Sequence, residues 1–454
     1  MSRVKMLLYS FLKRGYGKQI TSLYGKEKHV HCALLNSSTT DERIATQRSQ
    51  TGVTHAGIKI FINCLVCLLL SQVNNAQRIS FTALYDTALK NNLLLRSSDL
   101  GIAQSRALAG TANAIPKTGI FAENEDTRPS DSKGILKIGL SQDLDWPGVY
   151  KARKTLLQQQ LASVELAKGV RVLDLKRDVQ SAYYNLWYLQ SRQGLWQRLD
   201  SIYSSLAQAA FLRVRTGESA GLDSIAASAK AQEVLVQVQQ IAGDIRSAQE
   251  LLKKYAGTSN AYLPEQTPLQ KVVFTTVDTF FDRHPQLQYQ QQNISVAGAE
   301  IGIQQQSRKP TFSGRFFTQR LYGISDPFSG FSVSVGLPFI GGTGYRNKIK
   351  AAEIGRSYQE SLYAYERLSL RTAFIQAYEG LKKDEELLRY YESTGLAQAD
   401  AIMKAANIAY RAGEISFAEL SGFLTQSIDI QKNYLEVLNK YNQSAIELNY
   451  LKGN

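Results

Sequence analysis

Arg215-Thr216-Gly217-Glu218 and Arg411-Ala412-Gly413-Glu414 are one turn written twice, and each separates two long helical stretches. Before the first turn, Trp146-Pro147-Gly148 opens a segment that runs to about Arg215 with no further proline. Within it Val172, Leu175, Val179, Ala182, Leu186 and Leu189 advance in alternating steps of three and four, and Trp196, Tyr203 and Ala210 continue the seam. At ~1.5 Å per residue, roughly 65 residues make a rod near 100 Å long, which no single globular core contains. The chain is therefore read as elongated, with long helices side by side. After the turn a helix returns from about Leu222 to Tyr255. The second turn has the same surroundings: a long helix to about Arg411, with Leu370, Phe374, Ala377, Leu381, Leu388 and Tyr391 as its seam and Asp384 interrupting it, then a return helix over 416–451.

Working outward, the elements before each rod also recur. Residues 79–114 read as helix with a hinge near Asn91-Asn92, and residues 276–308 as helix around His284-Pro285. Pro116 and Pro310 end them, and Gly257 has its counterpart in Gly453. Strands are expected near 117–125 and 133–144, and again near 311–321 and 331–340. In the last of these Phe331, Val333, Val335 and Leu337 alternate with Ser332, Ser334 and Gly336, one face apolar and the other small or polar. A strand covered on one side of a soluble domain has that pattern, and so does a wall between lipid and a lumen. The third strand is less regular, but Phe312, Phe316, Phe317 and Tyr322 supply aromatic anchors. The expected fold is mainly α with a small β part, in two repeats, 77–268 and 269–454.

Residues 1–76 read as a leader. Lys59 precedes an apolar core from Ile60 to Leu70, and polar residues then lead to Ala76, the order of a secretory signal over 58–76 that is too short to span a membrane. The residues before it are either an unusual leader or the product of a start placed upstream of a codon such as that of Val53; an uncleaved anchor is the alternative to removal. Cys32, Cys64 and Cys67 all lie in this leader, which leaves a cysteine-free exported chain. The leader also holds 10 of the 53 Lys+Arg and 3 of the 39 Asp+Glu, so the remainder carries +7 rather than +14. With no basic cluster interleaved with aromatics in that remainder, nucleic acid is not an expected partner.

Four strands cannot close a barrel in lipid, because open edges leave backbone groups unpaired and barrels begin at eight strands. Two chains would supply eight and three would supply twelve. Three copies of a two-repeat chain would also give the helices a sixfold ring in which to bury their seams around a channel.

This order of elements, taken twice behind a signal peptide, resembles the TolC family of outer-membrane efflux proteins over residues 79–453. The resemblance is carried by Pro116 and Pro310 before the strands, the glycine-containing exits near 148 and 341, and the Arg-x-Gly-Glu turns. His284-Pro285-Gln286-Leu287 is similar to the Asn-Pro-x-Leu element of that family, with His in place of Asn. It implies a homotrimer whose twelve-stranded barrel sits in outer-membrane lipid and whose helical tunnel crosses the periplasm of a Gram-negative bacterium. Its partners would be a periplasmic adaptor and an inner-membrane pump, of a tripartite efflux or type I secretion system. A periplasmic coiled-coil adaptor or scaffold is the alternative, opposed by strand pairs at equal positions in two repeats.

No catalytic constellation stands out: past residue 76 there is one histidine, no cysteine and one methionine, Met403, and neither enzyme activity nor a cofactor nor a metal site is expected. By the resemblance, Arg215, Gly217, Glu218, Arg411, Gly413 and Glu414 form hairpin tips that meet the adaptor. A structural role fits the same residues, glycine as a helix cap and arginine against the helix dipole. Glu419, and less strongly Asp223, would ring a periplasmic aperture, although Ser416-Phe417-Ala418-Glu419 also reads as a capping box.

Overall fold

The computed structural model of the chain describes residues 77–130, 133–217, 221–265, 268–274, 283–325, 327–338 and 342–453. The expected leader and signal segment lie outside them, as does Glu218. The described residues begin with β1 (Gln77–Arg78), α1 (Phe81–Asn91) and α2 (Leu93–Ala109), pass through β2 (Gly119–Glu125) and β3 (Ile135–Leu144), and then form α3 (Pro147–Arg215) and α4 (Gly221–Ala256). After β4 (Tyr262–Leu263) the order repeats: α5 (Pro285–Gln306), β5 (Thr311–Leu321), β6 (Phe328–Gly336), α6 (Gly342–Tyr390), a π-helical turn (Tyr391–Gly395), α7 (Leu396–Ala412) and α8 (Phe417–Leu451).

Helix α3 is the spine, 69 residues without a break. On the sheet side it packs between α2 and α5, and α5 packs on α6; toward the turns it packs between α4 and α8, and α8 packs on α7. The expected seam is its buried face, with Leu175, Val179, Ala182, Leu186, Leu189, Tyr203 and Ala210 inside and Val172 and Trp196 half-buried against them. The sheet-side layer is held differently. Gln292 donates to the Gln159 side chain at 2.6 Å, Ser163 to Asn293 at 2.6 Å and Gln290 to Gln359 at 2.9 Å, so amides join α3, α5 and α6 where an apolar seam is thin.

The second rod departs from expectation. Its seam holds Leu370, Leu381 and Leu388 buried, but the helix widens at Tyr391–Gly395. There Tyr391 meets Tyr434 edge-on at 6.4 Å, and Gly395 is pressed on the same helix pair: a Cβ on it would lie 3.1 Å from Tyr391 Cδ1 and 3.6 Å from Ile430 Cγ2. The fourth strand begins three residues earlier than expected and ends at Gly336, so Leu337 falls just past it. Strands β1 and β4, two residues each, pair in parallel and tie the start of the chain to the connection after α4.

Paired glycines mark the repeat in the backbone. Gly217 and Gly413 have φ +78° and +76°, and Gly257 and Gly453 have φ +66° and +81°, a left-handed region that favours glycine. The helical joints correspond as well. Asn92 caps α2, its Oδ1 accepting from the N–H groups of Leu94 (2.9 Å) and Leu95 (3.2 Å), while its Nδ2 donates to the Tyr255 carbonyl (2.8 Å) near the end of α4. His284 caps α5: Nδ1 accepts from the Gln286 N–H (3.2 Å), and Nε2 lies 3.2 Å from the Tyr450 carbonyl near the end of α8. Since Nδ1 accepts, Nε2 carries the proton and donates.

Candidate functional site

The hairpins join through β3 and β5 into one antiparallel sheet of order β2-β3-β5-β6. Its register puts Ile120, Leu140, Phe316 and Phe331 in one row across all four strands, each exposed on the isolated chain. With Leu136, Ile138, Leu144, Phe312, Val333 and Val335 on the same side, that face is mainly apolar, interrupted by Asn124, Gln142, Thr318 and Arg320. The other face carries Glu123, Lys137, Ser141, Asp143, Ser313, Arg315, Ser332 and Ser334. On it Arg315 pairs with Glu123 and lies 4.1 Å over the Phe121 ring, and Lys137 pairs with Glu125 at 2.6 Å.

The third strand is irregular for a physical reason. Phe316 and Phe317 face opposite sides, and Phe317 stands opposite Gly139 and Gly330. A Cβ on Gly330 would lie 2.9 Å from Phe317 Cζ, so the ring covers the space two glycines leave. The outer edges of β2 and β6 have no partner strand within the described residues of the chain.

At the far end of the helices the two turns lie together. Arg213 on α3 stands 5.3 Å over the Tyr410 ring on α7, and Ala210, Ala406, Phe417 and Leu420 share one core beneath them. Arg215 lies 5.8 Å over Phe211, and Arg411 is exposed in the last turn of α7. Gly413 ends that helix, its N–H donating to Tyr410 and that of Glu414 to Ala409 (2.9 Å), so Glu414 contributes its backbone to the cap. Asp223 sits in the first turn of α4, where a carboxylate complements the dipole. Exposed Phe211, Leu212, Leu222, Ile225 and Ile408 surround the turns. Sequence reasoning passed over these residues and Arg213, although apolar side chains flanking a polar turn were a readable signal.

Glu419 forms both halves of the capping box: Ser416 donates its backbone N–H (2.8 Å) and hydroxyl (2.9 Å) to Oε2, and the Glu419 N–H donates to Ser416 Oγ (3.3 Å). Those bonds hold its carboxyl below the ordinary value. Among the described residues no group of three or more His, Cys, Asp or Glu is placed to hold a metal ion. No helix among them is long and apolar enough to cross a membrane, which says nothing of the sheet.

Residues 277–454 match the sequence model of the family described as outer membrane efflux protein. The cobalt-zinc-cadmium resistance protein CzcC of Cupriavidus metallidurans is 21% identical over 364 residues, covering 79% of this chain and 84% of CzcC. The CmeC outer membrane channel of Campylobacter jejuni superposes with a TM-score of 0.70 at 13% identity, over 82% of this chain and 85% of CmeC. The open state of the MtrE outer membrane channel of Neisseria gonorrhoeae gives 0.65 at 17% identity, over 82% and 89% of the two chains. Residues 277–454 thus carry the sequence pattern of outer membrane efflux proteins, and along four-fifths of its length the chain has the fold of these channels.

Proposed function

We propose that three copies of this chain close into a passive exit duct that conducts cargo delivered by an inner-membrane pump and a periplasmic adaptor. The chain is an outer-membrane protein with a large periplasmic part, and it is a transport channel rather than an enzyme. The observation that carries the proposal is the two-faced sheet with two open edges. An apolar face suits lipid and a polar one suits a lumen, but only closure pairs the edges, and three chains supply twelve strands. The helices support the same closure. Ile354, Tyr358, Tyr365, Leu368 and Ile375 form an exposed stripe on α6, and Leu93, Leu100 and Leu108 form one on α2, the two helices that end the sheet-side layer. In a ring, α6 of one copy meets α2 of the next.

In this reading the turns at Arg215, Gly217 and Glu218 and at Arg411, Gly413 and Glu414 receive the adaptor, and the surrounding apolar residues add contact area. Glu419, and less strongly Asp223, lines the periplasmic entrance. The name of CzcC points the cargo toward divalent metal cations, with selection left to the pump.

Val333 and Ser334 are neighbours on opposite faces of β6 and test the assignment directly. An arginine facing lipid near mid-membrane costs ~2–4 kcal/mol, whereas one facing a lumen costs little. Val333→Arg should lose heat-modifiable oligomers from the outer-membrane fraction, and Ser334→Arg should retain them. Equal behaviour of the two variants, or a soluble monomer from the unaltered protein, overturns the duct.

A further inference from the structure

The two repeats close their helical joints at equivalent places with different chemistry. Asn92 and His284 each cap a helix with one side-chain atom and reach the end of a return helix with another, and each is followed three residues later by a buried leucine, Leu95 or Leu287. Gly257 and Gly453 pack against the same two joints: a Cβ on Gly257 would lie 3.0 Å from the Asn92 nitrogen, and one on Gly453 would lie 3.5 Å from His284 Cα. The His284 joint is buried, with the residue 1% exposed and its ring edge-on to Tyr450 at 5.6 Å.

An amide keeps its donor and acceptor at every pH an envelope meets. An imidazole does not. Neutral His284 spends its one acceptor, Nδ1, on the Gln286 N–H and its one donor, Nε2–H, on the Tyr450 carbonyl. The imidazolium has two donors and no acceptor, so a proton on Nδ1 would face the Gln286 N–H at the positive end of a helix. We propose that His284 makes the joint of the second repeat an acid-released clasp, whose protonation undoes the cap of α5 while Nε2–H goes on donating to the end of α8, and that the Asn92 joint is indifferent to pH.

Among the described residues, the charged and titratable groups around this joint are Asp174 and Arg177 on α3, Glu366 on α6 and Glu447 and Tyr450 on α8, with Arg283 preceding the ring. Gln286 donates to Glu366 at 3.1 Å, and Arg177 lies 4.4 Å over the Tyr450 ring. Burial lowers the His284 pKa, and the bond to the Tyr450 carbonyl, then Asp174 and Glu366, oppose that pull without cancelling it. The sign follows: the unfolded chain binds the proton better, so the clasp's stabilisation is complete above the unfolded value of 6.5 and is lost as pH falls below it. Because α5 leads to the sheet and α8 comes from the turns, the proton acts where the sheet-side and turn-side layers meet.

The test is amide hydrogen exchange on the full chain in detergent, between roughly pH 7.5 and roughly pH 5, compared as protection factors so that intrinsic rates cancel. In the unaltered protein, protection at Gln286–Gln288 should fall on acidification by up to ~10-fold per pH unit, the limit for one proton, while that at Tyr450–Gly453 holds. His284→Asn should remove that dependence, and Asn92→His should install one at Leu94 and Leu95. A fall that persists in His284→Asn, protection independent of pH in the unaltered chain, or no new dependence in Asn92→His each overturns the clasp. If His284→Asn does not fold, the Asn92→His protein decides alone.

Discussion

Four glycines with positive φ allow one substitution to be read against four surroundings. Alanine at Gly217, Gly257, Gly413 or Gly453 meets the same left-handed backbone, a strain of about 1 kcal/mol at each. What differs is the space. A Cβ at Gly217 or Gly413 has nothing within 4 Å, so the strain is the whole cost. At Gly453 it would touch Pro285 Cδ at 3.2 Å, a contact that a few tenths of an ångström relieve. At Gly257 it would lie 2.2 Å from the Asn91 carbonyl oxygen and 2.6 Å from its carbon, both backbone atoms. Ordinary carbon–oxygen contact begins near ~3.3 Å, so the end of α4 must withdraw by roughly 1 Å from the joint. That breaks the 2.8 Å bond from Asn92 to Tyr255, worth ~1 kcal/mol, and opens the packing around it. The expected order of destabilisation is about 1 kcal/mol for Gly217→Ala and Gly413→Ala, about 2 for Gly453→Ala and at least about 3 for Gly257→Ala. Denaturant midpoints followed by circular dichroism give the comparison. Gly257→Ala no more costly than Gly217→Ala would refute the reasoning, because the two differ only in what the new methyl meets.

Two further predictions concern function. Charge reversal, Arg215→Glu with Arg411→Glu, should abolish efflux in a susceptibility assay while oligomers remain intact in the membrane; unchanged efflux removes the turns from the adaptor contact. Glu419→Gln keeps an oxygen for the capping box and deletes the charge, so single-channel recordings should show weaker cation preference with at most a small fall in melting temperature. Identical currents would leave Glu419 as a helix cap only.

The rods, their return helices and both positive-φ turns were legible because heptad spacing and glycine punctuation are local signals. So was the alternation of β6. What escaped were features that need a partner across the chain. Phe317 reads as noise in a strand alternation until Gly139 and Gly330 are seen opposite it. The widened turn left no trace, since Leu388, Tyr391 and Gly395 keep steps of three and four that suit an ordinary helix. Strands of two residues have no period to detect, and the pairing of β1 with β4 was invisible for that reason. Asn92 read as a hinge, but its reach to Tyr255 spans 163 positions and belongs to the fold. At the turns the Arg-x-Gly-Glu residues were legible, while Arg213 acquires meaning only beside Tyr410 of the other hairpin.

The unpaired edges of β2 and β6 also bear on inheritance. If neither edge can enter lipid alone, insertion is a collective act, and a chain with one damaged edge spoils the ring it joins. In the proposed trimer, such a variant co-expressed in equal amounts with sound chains leaves only about one ring in eight free of it. A defect confined to four short strands would then behave genetically as a dominant lesion, whereas a defect that stops the chain from folding would behave as a recessive one.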